Sequence, residues 1–274
     1  MHVNYEYIAA GIILLLILSI SEMNIFTIMR YQLAKMEQET EYPTAERILD
    51  MLLLSPGYPP NWGNQSDNPD SLGLAAQNAF RAYVLDISKV ARLMENSSYY
   101  IAPVTARQLM GLSSNYHFNL TITPVFTISI VNASSESHME YNITIRDYKG
   151  FLSSNVNVTG FYVPNSLVGN ETYNSASAVT DPTGSCILKF TNTLPSPNYS
   201  LVVCANHLGV KTVQTYPTAL NVRVEGGCVL SSEFPMIQTI NYATGSVFSM
   251  TTESVSRYVE IEGVTYYVKF DLWG

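Results

Sequence analysis

Three cysteines, four histidines and eight Asn-x-Ser/Thr sequons are the residues of this 274-residue chain whose types and spacing admit chemistry. Cys186 and Cys204 flank the segment Leu194-Pro195-Ser196-Pro197. If CILKF and NYSLVVC form a hairpin centred on Pro195, the two thiols fall at directly opposed positions, about 4.5–5.5 Å apart at Cα and within disulfide range. Buried free thiols are the alternative. Cys228 is left over, either free or paired between chains. His207, near Cys204, could share a metal with Cys186, but a disulfide is the simpler account of the two thiols. His2, His117 and His138 are isolated. Asp181 reads as a turn former ahead of a calcium ligand. No His-x-x-x-His, Cys-x-x-Cys, phosphate loop, dinucleotide fingerprint or nucleophile elbow occurs, so no catalytic residue, metal or cofactor is expected.

The sequons are a different kind of chemistry. Asn64, Asn96, Asn119, Asn132, Asn142, Asn157, Asn170 and Asn198 each precede Ser or Thr by two positions. Such a motif is an acceptor for N-linked glycan on an exported surface. Composition agrees. Only 13% of the chain is charged, about half the usual share, while 47% is apolar, enough to fill a core. The net charge of −8 leaves no basic stripe for phosphates, which argues against nucleic acid as a partner.

The elements that must position these residues begin with an apolar run. Ile8 to Met29 as one helix would reach roughly 33 Å at 1.5 Å per residue, long enough to span a bilayer. Tyr5 and Tyr7 at one end and Arg30 and Tyr31 at the other suit the interfaces. A cleaved signal peptide, with Ser19 and Ser21 before the cut, is the rival reading. Glu22 falls within the run. There it either reaches water near the interface or faces a membrane partner, since a carboxyl in hydrocarbon is costly. Arg30 and Lys35 favour a C-terminal part inside the cell by the positive-inside rule. The eight sequons favour it outside, and they carry the greater weight.

Beyond the anchor, Arg30 to Thr40 continues the helix and Thr44 to Leu54 forms another, with Ile48, Leu49, Leu52 and Leu53 on one face. Pro56 stops it. Gly57, Pro59 and Pro60 then make a non-helical elbow around Trp62, whose expected role is packing in the body or at the headgroup level. Phe80 to Met94 reads as a helix, starting only at Ile87 if Asp86 caps it. Pro103 to Leu112 reads as a short one. From Tyr116 onward the pattern is strand: Tyr116–Val131 with an edge or bend at Pro124, then ten further candidates. The last two, Tyr258–Ile261 and Val264–Leu272, form a hairpin turning at Glu262-Gly263. Short strands at this spacing predict a sandwich.

LLLSPGYPPNWG, then SLGLA, YVLDISKVARL and RQLMGL, resemble a group of archaeal membrane-anchored, loosely pilin-like surface proteins of unknown function, over residues 8–130. TDPTGSCILKF with NYSLVVCANHLGVKT resembles Ig-like and prealbumin-like modules over residues 140–216, with Asp181 and Gly184 in the turn and Tyr199, Leu201 and Val203 on the strand. The fold expected is α+β. A transmembrane anchor (1–30) and a juxtamembrane helical region (31–115) precede an antiparallel β-sandwich ectodomain (116–274), divisible as 116–216 and 217–274. What these resemblances imply is a single-pass cell-membrane glycoprotein with its body outside, structural or adhesive. Its partners would be membrane lipid and either its own copies or another surface protein. The rival readings are an accessory subunit of a pilus or secretion machine, in which Glu22 pairs inside the bilayer, and a surface hydrolase.

Overall fold

The computed structural model describes residues 44–135, 138–166, 173–191, 196–245 and 252–274. The anchor, Glu22 and His2 lie outside them, as do Asn170 and the strand expected at Ser246–Thr251. Among the described residues no helix is long and apolar enough to cross a membrane. The protein is mostly β, with several antiparallel sheets and short helices.

Helix α1 spans Ala45–Leu54 and buries the expected stripe of Ile48, Leu49, Leu52 and Leu53. Strand β13 (Glu253–Ile261) grips it by two side chains four residues apart. Glu253 accepts the Ala45 N–H at 2.8 Å. Arg257 donates to Glu46 at 2.8 Å and to Asp50 at 3.1 Å. Such partly exposed pairs add little stability singly. Their value is directional, because they fix α1 along the strand.

The helix expected over Phe80–Met94 is confined to α2, Ile87–Ala91. Asp86 is the reason. Its carboxylate accepts the Ser88 N–H at 2.9 Å and the Ser88 hydroxyl at 2.6 Å, which starts the helix there. The preceding Val84–Leu85 instead form β1, a two-residue strand parallel to Glu260 and Ile261. Helix α3 occupies Pro103–Leu109, begun by its proline and shorter than expected.

Strands β2 (His117–Pro124) and β3 (Phe126–Asn132) are the two halves of the Tyr116–Val131 run. They part at Pro124-Val125 and enter different sheets, as the bend at Pro124 predicts. The remaining strands are β4 (Met139–Asp147), β5 (Asn157–Pro164), β6 (Asn174–Val179), β7 (Ser185–Phe190), β8 (Tyr199–His207), β9 (Val210–Tyr216), β10 (Val222–Glu225), β11 (Cys228–Ser231), β12 (Ile240–Ala243), β13 (Glu253–Ile261) and β14 (Val264–Trp273). Glu262 and Gly263 turn the last hairpin with φ of 48° and 77°, the pair of positive values that a tight two-residue turn requires.

Four sheets result. A five-stranded sheet has the order β1-β13-β14-β2-β12, so residues 117–124 pair with residues 240–243 and 266–273. Residues 126–216 lie between them in sequence and build two further sheets, β3-β4-β7 and β6-β5-β8-β9. β10 and β11 form a separate hairpin. The three- and four-stranded sheets enclose a core of Ile143, Ile145, Val158, Leu188, Leu201 and Val203. The opposite face of the four-stranded sheet supplies Phe161, Val163, Val202 and Val213 to a second core, which also holds α1 and the inner face of the five-stranded sheet. β8 is therefore buried on both sides, which is why Leu201-Val202-Val203 reads as a continuous apolar run instead of alternating.

Candidate functional site

The elbow is the most tightly bonded part of the chain. Trp62 is completely buried, and its indole N–H donates to the carbonyls of Pro56 and Gly73 at 3.1 and 3.0 Å. Two buried cations hold the loop around it. Lys89 Nζ donates to the carbonyls of Pro56 and Ala75 at 2.9 and 2.8 Å. Arg92 donates through Nη1 to Trp62, Gln65 and Asp67, at 2.7, 3.0 and 3.0 Å, and through Nε to Tyr99 at 2.8 Å. Its guanidinium also lies 5.3 Å from the Trp62 ring. Burial lowers the pKa of Lys89 against the opposing pull of Asp86, and lowers that of Arg92 against Asp67. Gly57 sits at φ +72°, where a Cβ would come within 2.6 Å of the Ser71 carbonyl and 2.9 Å of the indole nitrogen. The indole N–H and both cations are thus turned inward, while Tyr58, Asn61 and Asn64 reach solvent. The elbow is a knot that ties α1 to the body, and its tryptophan ring is closed to a ligand. Lys89 and Arg92 were not singled out from the sequence. The visible signal was two cations three apart, inside an apolar stretch and just after a capping aspartate.

The histidines do not converge. His117 donates from Nδ1 to the Thr244 carbonyl at 2.7 Å and stacks on Trp273. His138 meets the Ser135 hydroxyl at 2.8 Å. His207 donates from Nδ1 to the Asn155 carbonyl at 3.0 Å. Among the described residues no group of three or more His, Cys, Asp or Glu could hold a metal. Asp181 accepts from the Thr183 hydroxyl at 2.6 Å and from the Thr183 and Ser185 N–H groups at 2.8 and 3.0 Å. The hydroxyl first, then the backbone donors, hold its carboxyl below the usual aspartate range. These are the bonds of a turn.

The cysteine hairpin is not formed, and this corrects the expected register. β7 pairs with β4, placing Cys186 opposite Ile143. β8 pairs with β5 and β9, placing Cys204 opposite Thr159 and Val213. The two strands belong to different sheets. Cys186 packs against the core inside the sandwich, whereas Cys204 packs against the other core, across the four-stranded sheet. All three cysteines are free thiols. Burial pushes the Cys186 thiol up to about 11 and raises that of Cys204, so both are poor nucleophiles. Cys228, at the start of β11, is exposed.

The described sequons are spread over separate elements between residues 64 and 198. Asn64, Asn96, Asn132, Asn142, Asn157 and Asn198 are exposed. Asn119 differs. It is half-buried on β2 opposite Asp271, and its amide nitrogen, the atom that would carry a sugar, donates to that carboxylate at 3.4 Å. No protein-family model matches this chain. No curated protein matches it. Its function therefore has to be argued from geometry: a folded body whose described sequon asparagines, Asn119 apart, all reach solvent.

Proposed function

We propose that this chain is a membrane-anchored surface protein whose β-rich body stands outside the cell and acts structurally or adhesively, as one subunit of a surface assembly. The observation that carries this is the exposure of six sequon asparagines on separate elements of one folded body. An asparagine-rich interior would have hidden some of them. The apolar run at Ile8–Met29 supplies the anchor, and lipid is its partner. The pilin-like likeness belongs to the same proposal, with α1 laid against β13 and β14 as the helix that joins anchor to sheet. So does the Ig-like or prealbumin-like likeness of residues 140–216, which fall among the seven strands β3 to β9 in sheets of three and four. The protein partner is a neighbouring copy or another surface protein, and no reaction is assigned.

Protease added to intact cells tests this. Residues Gln77–Ala82 form an exposed loop that includes Phe80 and Arg81, so trypsin is expected to reach the body without lysis. Protection of the whole body until the membrane is opened would reverse the topology.

A further inference from the structure

Three aliphatic side chains in the described strands are strongly exposed: Val131 on β3 at 57%, Val179 on β6 at 55% and Ile187 on β7 at 48%. Strand register gives them a common neighbour type. Asn142 on β4 lies directly opposite Val131 on one side and Ile187 on the other. Asn157 on β5 lies directly opposite Val179. Directly opposed residues of an antiparallel pair share a face, with Cβ atoms about 4.5–5.5 Å apart. Each exposed strand aliphatic therefore stands beside a sequon asparagine that is itself exposed. The hydroxyl position of each sequon repeats the match: Thr144 bonds Ser185 at 3.3 Å, and Thr159 bonds Ser177 at 3.2 Å, both on the neighbouring strand. The two sites lie on different sheets, and Asn157 is at the exposed start of the β5 face whose Phe161 and Val163 enter the second core. The exposed apolar residues of turns, such as Phe151 and Leu208, fall outside this pattern, as scattered surface hydrophobes usually do.

We infer that N-linked glycans on Asn142 and Asn157 lie down over these rows, the first covering Val131 and Ile187 and the second covering Val179. An uncovered aliphatic row on a three-stranded sheet is a site for edge or face association with other chains. A glycan there keeps these aliphatics out of any surface assembly and leaves contact to other parts of the body. The inference rests on the exported reading above.

The test uses the full chain purified from its native membrane. Glycopeptide mapping reads occupancy, and hydroxyl-radical footprinting reads side-chain access. Asn142→Gln is expected to raise oxidation of Val131 and Ile187 about two-fold, because a bulky solubilising group has been removed, and to leave Val179 and Leu208 unchanged. Asn157→Gln is expected to raise Val179 alone. Thr144→Val removes the first glycan while keeping Asn142, and the same rise at Val131 and Ile187 is expected. Unchanged oxidation with both sites occupied overturns the inference, since the glycans then project away. Empty Asn142 and Asn157 with other sequons occupied also overturns it but leaves the exported reading standing. No occupied sequon anywhere removes both.

Discussion

Arg92→Met is expected to destabilise the body by about 3–5 kcal/mol, because methionine keeps the stem but orphans buried carbonyls that the guanidinium had satisfied. Four carbonyls are involved, three from the elbow and the residues just after it, Trp62, Gln65 and Asp67, and one from the segment after α2, Tyr99. For a domain of this size the loss corresponds to a fall in melting temperature of roughly 10 °C. Arg92→Lys keeps a charge but not the planar fork, so it should recover only part of the loss. Thermal melts of the full chain in detergent, followed by tryptophan fluorescence, make the comparison. Melting temperatures that agree across all three forms would mean that the elbow is held by packing on Trp62 alone.

Phe118→Ala is the second large effect. The ring is buried, lies 5.8 Å from Phe270 and 5.9 Å from Tyr242, and belongs to the strand between β14 and β12. Truncating such a ring costs about 3–5 kcal/mol. Phe118→Leu keeps much of the volume and should cost less than about 1.5 kcal/mol. Denaturant titration distinguishes the two by midpoint at unchanged slope. Equal costs for both would show that the aromatic cluster, not the filled space, is what the sheet needs.

Some of this architecture was legible in the residues. The stripe on α1, the stop at Pro56, the cap at Asp86, the bend at Pro124 and the turn at Glu262-Gly263 each depend on chemistry within a few positions. Long-range pairing does not. Asn119 meets Asp271 across 152 residues, and no local pattern announces that β2 is a neighbour of β14. β6 escaped notice because the inward positions of NSASAV are only alanine, Ala176 and Ala178, too small to give a strong apolar signal. It is an edge strand, largely exposed, and buries little apolar surface. The expected cysteine register failed for a related reason. β7 and β8 are consecutive and apolar, but β7 turns its inward residues to one core while β8 is shared between two. The sequons were legible as motifs. That two of them flank exposed aliphatics is a property of register, and so was hidden. Lys89 and Arg92 were hidden because a cation in an amphipathic stretch reads as surface until its carbonyl partners, up to 33 positions away, are known.

The central claim is that the body lies outside the cell, and Cys228 tests it most directly. It is the one exposed cysteine among the described residues, while Cys186 and Cys204 are half-buried with raised thiol pKa values. Intact cells are treated with an impermeant phosphine reductant and then with an impermeant maleimide. The protein should be labelled at Cys228 before lysis, and Cys228→Ser should abolish the label. Labelling of Cys228 that appears only after lysis would place the body inside and contradict the account.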